Sequence, residues 1–166
     1  YISPDQLFQF TRITSDKKDD PVPEINISVS GTYDFRHIYG NGVSLFKFLA
    51  VENEVFFGDY SDSFGVAKGS STVHGGGGDD YFVCRKGGSF LFGDSGNDVL
   101  DYTEHYSSFP GRVNFDGGEG IDAVVVNDSD LSHVKLTSVE ELRSDRVLYL
   151  TSAEISRFSS IRRHEG

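Results

Sequence analysis

The string GGGGDDYFV (Gly75 to Val83) recurs as GDSGNDVLD (Gly93 to Asp101) and again as GGEGIDAVV (Gly117 to Val125). Each copy reads G-G-x-G-x-D-x-U-x, where U is a large apolar residue. Glycines in the first six positions permit positive φ, so the backbone can curl tightly and turn its carbonyls toward one point. The last three positions suffice for a short strand with one side chain pointing inward. Two such nonapeptides make one coil of a flattened roll, so equivalent turns on one edge recur every ~18 residues, and the carboxylate at position six faces the turn one coil away.

Register follows from that spacing. Asp62, Asp80 and Asp98 stand one coil apart and should stack on one edge. The intervening units, VAKGSSTVH (Val66 to His74) and CRKGGSFLF (Cys84 to Phe92), keep the fourth-position glycine as Gly69 and Gly87. They put Ser71 and Ser89 where the aspartate belongs, which makes the opposite edge metal-free. Asp122 follows Asp98 by one coil plus six residues, and YTEHYSSFPGRVNF (Tyr102 to Phe115) holds the surplus as a looser far-side turn. The expected inward columns are Phe64, Phe82, Leu100 and Val124 on one sheet, and Val55, Val73, Leu91 and Val113 on the other.

A hard cation held between successive turns by carbonyl and carboxylate oxygens fits calcium, which accepts six to eight oxygen ligands in flexible geometry, better than magnesium, which demands tighter octahedral order. Three inter-turn sites are expected, at Asp62/Asp80, Asp80/Asp98 and Asp98/Asp122. Their ligands would come from Gly58, Asp59 and Asp62 in the first turn and from Gly75, Gly76, Gly77, Gly78 and Asp80 in the second. Gly93, Ser95, Gly96 and Asp98 would serve in the third, and Gly117, Gly118, Glu119, Gly120 and Asp122 in the fourth.

These nonapeptides resemble the RTX family, the hemolysin-type calcium-binding repeats. The resemblance covers residues 57–125 and, more loosely, 126–142. It implies an all-β, right-handed parallel β-roll binding about three calcium ions on one edge, which stays unfolded where calcium is scarce and folds after secretion. It also implies type I secretion from an uncleaved C-terminal signal, and hence an extracellular location. The chain then divides into an N-terminal cap with metal-free coils (1–56), the calcium-binding roll (57–125) and a C-terminal cap of strand and short helix (126–166).

Composition agrees with a roll. The chain has 166 residues, enough for one domain, and its apolar fraction of 37% is below the usual range, as expected if about one residue in nine must point inward. A formal charge of −11 makes nucleic acid and anionic membranes poor partners. No apolar run is long enough to span a membrane, and neither an initiating methionine nor a signal peptide is present, so the chain reads as a piece of a larger protein. The single cysteine, Cys84, cannot form an internal disulfide and reads as an inert thiol.

Outside the repeats the signals are weaker. Residues 1–24 run from an aromatic-rich start into the polar loop SDKKDDPVP, whose Asp20-Pro21 bond is of the kind cleaved by self-processing modules of some RTX proteins. INISVSG (Ile25 to Gly31) and YDFRHIYG (Tyr33 to Gly40) alternate as strands do. Carried backward, the register puts Phe46 and Val55 inward, Gly40 and Gly42 in turns and Ser44 in the aspartate slot. After the repeats, NDSDLSHVKLTSVEEL (Asn127 to Leu142) should close the roll and VLYL (Val147 to Leu150) should add a strand. Thr151 or Ser152 can cap a short helix carrying Ile155, Phe158 and Ile161, followed by a solvated basic end at Arg157, Arg162 and Arg163.

No catalytic constellation is visible. His37, His74, His105, His133 and His164 are scattered without zinc spacing, and Gly75 to Gly78 lack the Lys-Ser/Thr of a phosphate cradle. The expectation is a non-catalytic calcium-binding module of a secreted toxin, adhesin or exoenzyme. One alternative is a polysaccharide or host-surface recognition module using Tyr60, Tyr81, Tyr102 and Tyr106 as stacking platforms. A second is a self-processing or effector fragment of a toxin.

Overall fold

Each glycine-rich turn delivers the chain into a short strand, and strands one coil apart pair side by side. The computed structural model describes residues 24–27, 30–37, 45–48, 52–66, 70–84, 88–103, 112–127 and 131–164. Among them the chain alternates between two parallel sheets and forms a β-solenoid of about six coils. The first sheet contains β1 (Glu24–Ile27), β3 (Leu45–Phe48), β5 (Ser63–Val66), β7 (Tyr81–Cys84), β9 (Val99–Asp101), β11 (Ala123–Val125), β13 (Glu141–Ser144) and β14 (Ser160–Arg163), in that order. The second contains β2 (Gly31–Asp34), β4 (Glu52–Phe56), β6 (Ser70–His74), β8 (Phe90–Phe92), β10 (Val113–Asp116) and β12 (Val134–Thr137). Asp20-Pro21, Gly40, Gly42, Ser44, Gly69, Gly87, His105 and Tyr106 lie outside the described residues.

Register obeys the spacing read from the turns. Phe64 pairs with Phe82 and Phe82 with Leu100 at the coil interval, and Leu100 pairs with Val124 across the longer step. All four side chains are buried. The register places Phe46 opposite Phe64, so the solenoid extends N-terminally beyond the glycine-rich repeats. In the second sheet Val55, Val73 and Leu91 form the matching column, but Phe115 takes its next level. Val113 also points inward, one pleat earlier in the strand.

Inward positions are denser than one in nine. A strand of four or five residues turns alternate side chains to the same face, so most strands place two inside. Phe64 and Val66 do so on β5, Phe82 and Cys84 on β7, and Ser71 and Val73 on β6. Cys84 is thus a buried free thiol. Ser71 and Ser89 are likewise buried inside, where Asn53 donates its amide to the Ser71 hydroxyl at 3.3 Å. Tyr33, Phe35, Phe57, Phe64, Phe82 and Phe115 form an aromatic spine along the interior with consecutive ring centroids 4.2 to 6.0 Å apart. Burying each such ring contributes roughly 1.5–3 kcal/mol, and this spine holds the two sheets together.

The C-terminal end departs from expectation. Residues 147–150 pair in neither sheet, whereas the expected short helix is present as α1 (Ser152–Ile155), a single turn. Thr151 caps it through a reciprocal capping box with Glu154. Phe158 and Ile161 lie beyond it, and Ile161 sits on β14 in register with Leu142. Pairing with β13 satisfies a row of backbone groups that a longer exposed helix would have left to β13's edge. Arg162 is engaged rather than merely solvated: it and Arg143 clamp the buried carboxylate of Glu141 at 2.9 and 2.8 Å.

Candidate metal centre

The turns joining second-sheet strands to first-sheet strands stack along one edge. Residues 57–62 precede β5, 75–80 precede β7, 93–98 precede β9, 117–122 precede β11 and 138–140 precede β13. Backbone bonds knit them together: the Gly77 amide donates to Gly58 O, Ser95 to Gly76 O and Glu119 to Asp94 O, at 2.8 to 2.9 Å. Fourth-position glycines allow this closeness. Gly120 has φ +142°, and a Cβ there would overlap Gly96 O.

Inside that edge runs a column of carboxylates. The Asp62 amide donates to Asp80 Oδ1 at 2.7 Å, the Asp80 amide to Asp98 Oδ1 at 2.8 Å and the Asp98 amide to Asp122 Oδ1 at 2.7 Å. The column continues one step further, with the Asp122 amide donating to Glu140 Oε2 at 2.9 Å. Glu140 follows Asp122 at the same 18-residue interval, but its turn lacks the glycine signature, so the sequence reading passed over it. The spacing was the signal that could have found it.

Each of these aspartates uses only one oxygen in the ladder. Oδ2 of Asp80, Asp98 and Asp122 is buried with no hydrogen-bond partner. The first-position glycines create this arrangement. A Cβ on Gly75 would overlap Asp80 Oδ2 and come within 2.9 Å of Gly93 O. Cβ atoms on Gly93 and Gly117 would overlap Asp98 Oδ2 with Gly117 O, and Asp122 Oδ2 with Ser138 O. At three successive levels, therefore, the missing side chain lets a carboxylate oxygen and a carbonyl oxygen of the next coil approach the same spot. Ser138 has φ +47°, in a shorter turn that contains no glycine.

Burial makes these carboxylates reluctant to ionise. It raises Asp80 to about 8, Asp98 to about 7 and Asp62 to about 6, well above the ordinary carboxylate range, and it pushes Asp122 up as well. The amide donated to each Asp80, Asp98 and Asp122 carboxylate opposes the shift, and neighbouring carboxylates add to it. A buried, partnerless carboxylate oxygen costs free energy unless it is protonated or meets a cation.

The expected ligand set is thereby sorted. Asp80, Asp98, Asp122, Gly75, Gly93 and Gly117 meet at the orphaned oxygens. Asp62 contributes its amide to the ladder and is only half-buried. Gly58 O and Gly76 O already accept amides, and Ser95 Oγ donates to Gly76 O at 3.2 Å. Gly76, Gly78, Gly96, Gly118 and Gly120 supply positive φ, while Asp59 and Glu119 are exposed. Asp94, absent from the expected set, holds φ +69° where its neighbours have glycine. A second, exposed ladder runs beside the first: Asp79 N–H donates to Ser61 Oγ, Asn97 N–H to Asp79 Oδ1 and Ile121 N–H to Asn97 Oδ1.

Among the described residues no three His, Cys, Asp or Glu side chains gather as a metal cluster. A cation at this edge would be held by one carboxylate oxygen per level together with carbonyls, a set of hard oxygens that suits calcium. Tyr102 is buried and the Tyr81 hydroxyl donates to Asp101 at 2.7 Å, which leaves Tyr60 as the exposed member of the proposed stacking platform among the described residues. No family model, curated protein or solved structure matches the chain.

Proposed function

We propose that this solenoid is a non-catalytic calcium-binding module of the RTX type, part of a larger secreted protein, whose folding is completed by calcium outside the cell. The orphaned, buried Oδ2 atoms of Asp80, Asp98 and Asp122 carry this reading. Three unpaired carboxylate oxygens at successive levels of one edge oppose folding until a cation neutralises them. Calcium supplies that charge and accepts the carbonyl oxygens brought to the same levels. Coil by coil, the same residues that destabilise the metal-free roll become ligands. This couples metal binding to folding.

Extracellular-type sites have dissociation constants of ~10⁻⁴ to 10⁻³ M. At about 1 mM calcium each independent site then adds only ~0.4 to 1.4 kcal/mol, so the response depends on several levels acting together. Circular dichroism during a calcium titration from excess chelator tests the proposal. The expected result is a sigmoidal gain of β signal. Full native signal in chelator at low salt, unchanged by calcium, would overturn it.

A further inference from the structure

The outer face of the second sheet carries an aromatic stripe that the metal edge does not use. Phe56, His74 and Phe92 point outward from β4, β6 and β8 at one level of the register. Their rings stack nearly parallel: Phe56 lies 5.0 Å from His74 at 11°, and His74 lies 4.6 Å from Phe92 at 7°. Phe90, on the same face two residues before Phe92, is 49% exposed.

The two ends of the stripe are built alike. Beyond Phe56 the register places Asp34 on β2, and beyond Phe92 it places Asp116 on β10. At the first end the gap is filled within the chain. Arg36 pairs with Asp34 through two nitrogens, at 2.9 and 2.5 Å, and sets its guanidinium carbon 5.5 Å from the centre of the Phe56 ring. Among the described residues no Arg or Lys pairs with Asp116 at the second end. Asp94 lies close by and holds His74 Nδ1 at 3.3 Å, adding negative charge beside Phe92.

We propose that the Phe92 face beside Asp116 is a binding site for the guanidinium of an arginine-bearing peptide from a partner protein, seated as Arg36 is seated on Phe56 and Asp34. A planar guanidinium can stack on the ring while donating two parallel hydrogen bonds to the carboxylate, and an ammonium cannot do both. The formal charge of −11 draws basic segments to the surface, and the aromatic stripe selects among them. This site lies on the outer face of the second sheet, apart from the carboxylate column inside the edge.

The test uses two labelled glycine-spaced peptides, one with two arginines and one with two lysines, titrated by fluorescence anisotropy into the calcium-treated protein at ~0.15 M salt. The arginine peptide should bind about fivefold more tightly or better. Asp116→Asn and Phe92→Ser should each weaken it about tenfold, whereas Asp145→Asn, an exposed carboxylate just after β13 of the other sheet, should change it less than about twofold. Circular dichroism confirms that each variant stays folded, and Asp116→Asn keeps the outward side chain's shape if Phe92→Ser does not fold. Equal affinity for both peptides with equal losses in all variants means diffuse attraction and overturns the proposal, as does absence of binding.

Discussion

Replacing Asp80 by asparagine separates the hydrogen-bonding role of the column from its charge. Asparagine keeps an oxygen to accept the Asp62 amide and puts an amide nitrogen where the orphaned Oδ2 lies near Gly93 O. The wild-type group has its pKa raised from 3.8 to about 8, chiefly by burial. A folded pKa above the unfolded one means that the cost is absent below ~pH 4, grows as pH rises and levels off above ~pH 8. At ~1.4 kcal/mol per unit, ionisation resisted over the roughly three units up to pH 7 amounts to ~4 kcal/mol there. In chelator, wild-type stability should therefore fall from pH 5 to pH 8, and Asp80→Asn should flatten that fall. In chelator at pH 7 the variant should keep more β signal by circular dichroism than wild type, and under conditions where both retain a urea transition its midpoint should be higher by ~1–2 M for an m-value near ~2 kcal/mol/M. If the column holds calcium as proposed, the order should narrow or reverse in calcium, because the variant would lack one charged oxygen of the site. A variant no more stable than wild type in chelator at pH 7.5, with unchanged m-value, would refute the claim that Asp80 carries an uncompensated charge.

Two further substitutions test the frame around that charge. Gly120→Ala should cost more than ~2 kcal/mol, measured by thermal or urea unfolding, because φ is +142° and the new Cβ would meet Gly96 O. Glu140→Ala should cost ~1–3 kcal/mol by leaving the Asp122 amide unpaired, and Glu140→Gln should recover most of it, since the amide oxygen can still accept that bond.

The residues that were legible in advance are those whose position is set by local chemistry. Asp80, Asp98 and Asp122 could be placed because glycine-rich turns and a fixed interval leave the backbone one way to stack, and the apolar residue two positions later had to point inward. What escaped depends on partners that the repeat does not encode. Glu140 joins the column through the interval alone, in a shorter turn that contains no glycine. VLYL has strand composition, but β14 takes the open edge of β13 instead, so composition could not decide between them. The stripe of Phe56, His74 and Phe92 was hidden because its members sit at strand ends in three separate coils, and only the register makes them neighbours.

The step between Asp98 and Asp122 shows why the interval rule survives an insertion. The two residues are 24 apart rather than 18, yet the ladder bond joining them is 2.7 Å, equal to that between Asp62 and Asp80. Phe90 pairs with Asn114 and Val99 with Ala123 across the same step, so the six extra residues fall in the chain between β9 and β10. Loop-closure cost grows only as the logarithm of length, ~0.6 kcal/mol per doubling, so lengthening one connection by six residues costs a fraction of that. Shifting the register would leave the buried Asp98 amide without its carboxylate, at ~1.5–3 kcal/mol for a bond to a charged group, and would turn Val124 out of the core. The carboxylate edge therefore dictates the pairing, and the surplus is confined to the connection between β9 and β10, outside the turns that carry the aspartate ladder.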